Sequence, residues 1–502
     1  MHRPPAAGAA ETDMAAELAA VRPGLLPRFT AELPGARAAV LTRLWRALTH
    51  EPLPWRERRG PGTLRLRDGR VLRGPVPDPY ATDAYVTAVT LDGVPYDDPA
   101  RLTAALGVPH GGSLAAELDH SAVSLALSRA NRQPREDSWP VSDWAWERRV
   151  VDGHPYHPNC RSRPGFSVAD QLAYAPEHGP EVRLGLVPVP AGRCLVSGDW
   201  PAELRDEGRL LIPVHPWQAA HVLKQPGGPG PLARPLMSLR TLELLPGGPH
   251  VKTALSARLT SSVRDISVGS IAASAVLSSF GEALAARTGG LLHVTRTLGA
   301  ATADSPDLAA MLRESPRVYA GAGEHVVPVA ALPTTAPGGD PAWQADFARL
   351  ALTVGLRLLE LGVALEAHGQ NLLVVLSAEG APLRLVYRDL ADIRVSPARL
   401  AANGVPLPEG MPERILTDDV TALRRKLFGS LVAGALAGTA GSAQALGAAL
   451  EAAVPDLPCT PDLAALTDEP LPAKALTLMR LSPGTPGDRW TALPNPLTRT
   501  PL

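Results

Sequence analysis

Residues 237–267 read MSLRTLELLPGGPHVKTALSARLTSSVRDIS, and the alternation within them argues for sheet rather than helix. Two runs, 237–245 and 251–260, flank the turn Pro246-Gly247-Gly248-Pro249, as in a hairpin. In the second run Leu255, Ala257 and Leu259 alternate with Lys252, Ala254, Ser256, Arg258 and Thr260, so one face is polar. Ser238 and Arg240 share a face of the first run, and folding the hairpin sets them roughly opposite residues 255–258. TSSVRDIS is expected to turn into a helix, with Thr260 or Ser261 as N-cap and Arg264 about one turn in. A helix start beside arginines suits an anion. A solvated edge hairpin, where Lys and Arg are ordinary, is the plain alternative. Along a straight strand at about 3.3 Å per residue, Lys252 and Thr260 stand roughly 26 Å apart. They serve one ligand only if it is long or the strand bends.

Downstream, 342–366 has the periodicity of an amphipathic helix, and two strand-like runs follow at 371–377 and 383–388. The polar loop in EAHGQNLLVVL (366–376) contains His368, Gly369, Gln370 and Asn371. In LRLVYRDLADIR (383–394) the second strand ends in Arg388-Asp389. This is a kinase-type layout, and the carboxylates of Glu366 and Asp389 could hold Mg²⁺, which prefers oxygen ligands shared with phosphate. A kinase needs a catalytic Asp two residues after the His, and Gln370 stands there. A nucleotide site without a phosphotransfer base describes the segment better; a polar cap on a helix end is the alternative. Upstream, DGHPYHPNCRSRPGFS (152–167) holds His154, His157, Arg161 and Arg163 between prolines, as a rigid cationic loop or an ordinary proline-rich surface loop.

The rest of the chain frames these segments. Residues 13–50 read as helical, divided by Pro23 and Pro34; short strands are expected over 64–90 and helices at 98–106 and 111–130. Pro and Gly clusters at 225–235 and 331–341 read as loops, and the part after about 396 reads mainly helical. The expected division is 1–150, 151–395 as catalytic core, and 396–502. With 502 residues and 45% apolar content the chain exceeds one ordinary core. A net charge of −1 without a long basic run argues against nucleic acid. Cys160, Cys194 and Cys459 have no metal-like spacing, which fits a reduced cytoplasm. Met1–Leu18 carries three acidic residues and no apolar run, unlike a signal peptide. The charge-free run Phe428–Leu450 is Ala- and Gly-rich and reads as a packing helix rather than a membrane span.

Taken together, the His-Pro loop ending in Gly165-Phe166, PVHPWQ at 213–218, KTALSARLTSSVRDIS, EAHGQNLL and the later PAKALTLMRL (472–481) resemble the siderophore synthetases that work independently of nonribosomal peptide synthetases, of the aerobactin-synthetase (IucA/IucC) type. The resemblance implies a mixed α/β, cupped-hand fold with fingers, palm and thumb, the palm and thumb distantly kinase-like. It implies ATP and Mg²⁺, an acyl-adenylate of citrate or another carboxylate, and attack by an amine or hydroxyl; family members are often dimers. By matching positions, Ser238, Arg240 and Lys252 would meet the nucleotide phosphates. Thr260 and Arg264 would hold the carboxylate, with His157 or His154 beside it. His368, Gln370 and Asn371 would line the space between, with Glu366 and Asp389 on the metal. Arg161 stands where a lysine is usual, and Ala391-Asp392 replaces glycines. A catalytically silent nucleotide-binding homologue and a small-molecule kinase are the competing readings.

Overall fold

A computed structural model describes residues 8–133, 139–260 and 262–498. Ser261, one of the two expected N-caps, lies outside them. The architecture is mixed α/β, with three main apolar cores.

The first core packs helices Ala9–Val21, Leu26–His50, Pro99–Leu106 and Gly111–Ala130 against a five-stranded antiparallel meander within 56–96. Pro34 sits inside the helix Leu26–His50 rather than dividing it. An interior proline costs about 3 kcal/mol. Leu33, Val40, Leu41, Leu44 and Leu48 are all buried on this helix, and burial at roughly 1.5–3 kcal/mol for each such side chain outweighs that cost.

The second body is a nine-stranded sheet, antiparallel throughout, in the order 195–198, 297–302, 309–313, 250–253, 241–244, 228–235, 182–190, 209–214, 205–206. One expectation fails here: Gly228–Pro235, read as a loop from its Pro and Gly content, is an inner strand between 182–190 and 241–244. The glycines are there for contact rather than flexibility. A Cβ on Gly227 or Gly230 would come within 2.7 or 2.6 Å of the Leu186 or Leu184 backbone. A register shift between Pro229 and Leu232 takes up the irregularity.

The third core joins a four-stranded sheet (292–294, 382–387, 372–376, 325–328) to helix Pro341–Leu361 and the C-terminal helices. That helix ends at Leu361, short of the expected 366, because Gly362 at φ 101° supplies the left-handed cap. The C-terminal part also holds a hairpin, 471–474 with 490–493, that the sequence did not suggest. Within Phe428–Leu450 a π-helical turn, Phe428–Leu436, leads through a short helix and Gly441 to helix Ala443–Ala453. Among the described residues no single helix is long and apolar enough to cross a membrane. One pair passes by length and composition, but it bends by 116° and buries Leu431, Val432, Leu436, Leu446 and Leu450 in the third core.

Candidate active site

A cavity of about 1870 Å³ is lined by segments from all three cores. Its wall includes every residue singled out from sequence: His154, His157, Ser238, Arg240, Lys252, Thr260, Arg264, Glu366, His368, Gln370, Asn371 and Asp389. Sixteen Lys and Arg side chains face nine Asp and Glu around it, whereas the whole chain carries a net charge of −1. Positive charge is concentrated where a low-dielectric wall gives it most reach.

Strand alternation explains much of this. Leu242, Val251 and Leu312 are paired neighbours that point into the second core. One residue along, Glu243, His250 and Arg313 form a paired row on the opposite, cavity-lining face, with Lys252 beside them. Lys252 Nζ meets Asp389 Oδ2 at 2.6 Å and Arg313 Nη2 meets Oδ1 at 3.2 Å. Burial alone would raise the Asp389 pKa, but Arg313 and Lys252 hold it well below the usual carboxylate range. Burial pulls Lys252 down to about 7 against the opposing pull of Asp389.

The first expected strand begins only at Thr241. Residues 237–240 form a turn in which Leu239 has φ 63° and the Ser238 hydroxyl accepts the Thr241 N–H at 3.1 Å. A leucine is costly in the left-handed region. Its side chain is held in a small cluster with Phe166, Trp217, Leu255 and Leu259, where Phe166 stacks on Trp217 with centroids 4.9 Å apart. The Gly-Phe and PVHPWQ segments therefore support the turn that presents Ser238 and Arg240. Arg240 Nη1 donates to the carbonyls of Arg264 and Asp265, both at 2.6 Å.

The expected helix after Thr260 is a second hairpin, Leu255–Leu259 with Ser262–Arg264. Thr260 turns it at φ 60°, and the next helix begins at Val268, capped by Ser267. Thr260, read as a cap, instead stands at the turn, so Arg264 lies on a strand. The chain leaves the nine-stranded sheet after Thr253 and enters this hairpin at Leu255. That bend lets Lys252 and Thr260 line one cavity.

The histidines share one local device. His154, His157, His215 and His368 each accept at Nδ1 from the backbone N–H two residues on, at 3.1, 3.0, 3.1 and 3.2 Å. Where proline follows, as in His-Pro-Xaa, the proline has no N–H, and Xaa supplies the first one. Burial holds His154 well below its ordinary pKa, His157 down at about 3, and His368 below the usual value. A neutral ring that accepts at Nδ1 carries its proton on Nε2. These rings therefore offer donors, and their lone pairs are spent. His157 Nε2 is buried without a partner.

The 366–371 loop and Asp389 are tied by the Tyr387 hydroxyl, which accepts the Glu366 N–H at 3.2 Å and donates to the Asp389 carbonyl at 3.3 Å. Asp389 itself has φ 74°. Glu366 meets Lys426 and Lys474 at 3.0 and 2.9 Å. Burial would raise its pKa, but these lysines bring it down to about 2. Arg388 bonds the Gln370 carbonyl through Nε at 2.9 Å and pairs with Glu147 at 2.7 Å. Glu147 in turn accepts the Met237 N–H at 2.7 Å, joining the loop to the Ser238 turn. Lys426, Lys474, Arg313 and Glu147 were not singled out as site residues; each meets its partner only through the assembled fold. Among the described residues no three His, Cys, Asp or Glu side chains converge as a metal cage. Two ionised carboxylates on adjoining segments fit Mg²⁺ only as an ion that brings phosphate oxygens with it.

The loop arginines are not free cations. Arg161 bonds the Val150 and Val151 carbonyls, and Arg163 pairs with Glu177 at 2.8 Å. Burial would raise the Glu177 pKa, but Arg161 and Arg163 hold it far below its ordinary 4.5. A depressed carboxylate contributes stability above the unfolded pKa that is lost as pH falls through the folded one. Glu177→Gln is therefore expected to cost about 3–5 kcal/mol at neutral pH, with the difference from wild type narrowing below about pH 4.5. Urea titrations giving equal costs at pH 7 and pH 3 would assign the loss to shape instead.

Residues 142–334 match the family described as IucA / IucC, and residues 341–484 match that described as ferric iron reductase FhuF-like transporter. The chain is similar to citryl-spermidine/3,4-dihydroxybenzoyl-citryl-spermidine:spermidine ligase of Bacillus anthracis, at 25% identity over 310 residues, covering 49% of this chain and 50% of the relative. It spans about half the length of the curated relatives it matches. The fold is shared with petrobactin biosynthesis protein AsbB of Bacillus anthracis str. Sterne, at TM-score 0.75 and 19% identity over 94% of this chain and 97% of that one. It is shared too with ATP-bound aerobactin synthetase IucA from a hypervirulent pathotype of Klebsiella pneumoniae, at TM-score 0.70 and 18% identity over 93% and 99%. The first match contains the His-Pro loop, PVHPWQ and the 252–267 run, and the second contains the 366–376 loop. Over residues 142–334, then, the chain is similar to the IucA / IucC family, and its fold is that of solved synthetase structures.

Proposed function

We propose that the protein is an ATP-dependent synthetase that activates a carboxylic acid, citrate or a related polycarboxylate, and condenses it with an amine or hydroxyl. The observation that carries this reading is the pairing of two cationic sets in one cavity. Arg240, Lys252 and Arg313 suit a triphosphate. Arg264, with the Nε2–H donors of His157 and His154, suits an adjoining polycarboxylate, and Thr260 adds a hydroxyl. Ser238 and Asn371 belong to the nucleotide side; His368 and Gln370 stand between nucleotide and acid.

In this scheme a carboxylate oxygen of the acid attacks the α-phosphorus, and pyrophosphate leaves. The amine or hydroxyl then attacks the acyl carbon, its proton passing to solvent or to a phosphate oxygen of the departing AMP, and AMP leaves with the electron pair of the broken C–O bond. Glu366 and Asp389 would hold Mg²⁺, whose chemistry is to neutralise charge on phosphate oxygens. The ATP-bound state of the Klebsiella relative and the small-molecule acid and amine named for the Bacillus ligase support the choice of substrates. We assign fingers, palm and thumb to the bodies around the cavity, with the kinase-like part at 325–395, and keep 1–150, 151–395 and 396–502 as working domains. The reduced cytoplasm is the proposed compartment, with Cys160, Cys194 and Cys459 as free thiols. A kinase is disfavoured because Gln370 stands where the catalytic Asp of a phosphotransfer site would be, whereas an acyl-adenylate is already activated toward attack.

Incubation with ATP, Mg²⁺, hydroxylamine and a panel of carboxylates tests the proposal. With acid and no nucleophile, labelled pyrophosphate is expected to exchange into ATP, since activation is reversible and precedes capture. ADP–ATP exchange without pyrophosphate exchange would overturn the adenylate route. Release of neither product with any acid would leave the silent homologue.

A further inference from the structure

Arg480 belongs to the PAKALTLMRL segment, whose Lys474 meets Glu366, but Arg480 itself has no role in the scheme above and is not among the residues lining the cavity. It sits on the short helix Leu476–Leu481. Its Nε donates to Glu117 Oε2 at 2.8 Å, and its Nη2 bonds the other carboxylate oxygen. Glu117 Oε2 also accepts Asn159 Nδ2 at 2.5 Å. Asn159 is fully buried, and its backbone N–H donates to His157 Nδ1 at 3.0 Å.

This chain of contacts runs from the C-terminal segment, through helix Gly111–Ala130, to the His-Pro loop. It ends at a histidine 2% exposed whose Nε2 has no partner. After burial, the Arg480 charge is the largest influence keeping that ring neutral. Two properties of the donor, its direction and its protonation state, therefore trace to residues outside the cavity wall.

We propose that Arg480 is a positioning residue for acid activation, acting through Glu117 and Asn159 to fix His157 as an Nε2–H donor toward the carboxylate substrate. The inference rests on the synthetase reading and on the acid-side role of His157. An anchor that merely fastened the C-terminal segment would affect ATP and acid alike and would not depend on His157.

A double-mutant cycle in the full chain, read by acid-dependent pyrophosphate exchange, separates the two. Arg480→Gln is expected to lower kcat/KM for the acid about tenfold or more while leaving the KM for ATP within about twofold. In a His157→Ala background the same substitution should change the rate by less than about twofold. Arg480→Lys should recover part of the loss, since one donor still reaches Glu117. Glu117→Gln, which keeps the side-chain shape, repeats the cycle if Arg480→Gln does not fold. Selective ¹⁵N-histidine labelling gives a readout that needs no turnover: the His157 resonances should show the Nε2–H form in wild type and a mixed tautomer in Arg480→Gln. Equal losses in both backgrounds, or an unchanged His157 tautomer, would overturn the proposal while leaving the synthetase intact. Absence of exchange with every acid would remove the synthetase reading itself and this inference with it.

Discussion

Arg264→Ala is expected to lower kcat/KM for the acid by about 30- to 4,000-fold, corresponding to roughly 2–5 kcal/mol for a buried charge-assisted contact. The side chain is on strand Ser262–Arg264, and its Nη2 donates to the Leu259 carbonyl at 3.3 Å. It makes no ion pair among the described residues, so further N–H donors remain for a ligand. Burial lowers its pKa, with Asp389, Glu366 and Asp392 pulling the other way. Removing the guanidinium therefore leaves no uncompensated carboxylate in direct contact, and the variant should fold with wild-type stability within about 1 kcal/mol. ATP affinity should change little. Arg264→Lys should fall between, because an ammonium cannot reproduce a bidentate fork. Wild-type turnover in folded Arg264→Ala would end the assignment of an acid site at this strand.

The sequence made the polar half of this site legible because its parts are local. Lys252 and Val251 alternate on one strand, so the polar face follows from a period of two. His-Pro-Xaa is likewise a local device: a ring, a missing N–H and the next N–H in line. Its histidines could be singled out before any fold was known. What stayed illegible depends on residues far apart. Lys426 and Lys474 reach Glu366 across 60 and 108 positions, and although Lys474 lies in the PAKALTLMRL segment, nothing local pairs either lysine with that carboxylate. The misread 225–235 segment has the opposite cause. Its glycines satisfy a close approach to Leu184 and Leu186 that only the assembled sheet reveals. The helix expected after Thr260 failed because serines and threonines serve tight turns as well as N-caps.

Asp389→Asn tests the other side of the cavity, and the structure sharpens what it should do. As the protein stands, Asp389 is the counter-anion for Lys252 and Arg313, at 2.6 and 3.2 Å. A triphosphate would offer those two cations a denser negative partner and leave the carboxylate for a metal ion. An amide at 389 cannot take up that second role, but it also no longer competes for the cations. Calorimetry without Mg²⁺ is therefore expected to show ATP bound at least as tightly as by wild type. The gain on adding Mg²⁺ should shrink by about 10- to 150-fold, the equivalent of roughly 1.5–3 kcal/mol for a bond to a charged group. Acid affinity should be nearly unchanged, because among the described residues the Asp389 carboxylate bonds Lys252 and Arg313 and not the acid-side Arg264, His157 or His154. Turnover should fall with the lost metal response. Parallel losses for ATP and acid would instead make Asp389 a structural counter-ion, its left-handed backbone at φ 74° a feature of the fold rather than of the chemistry.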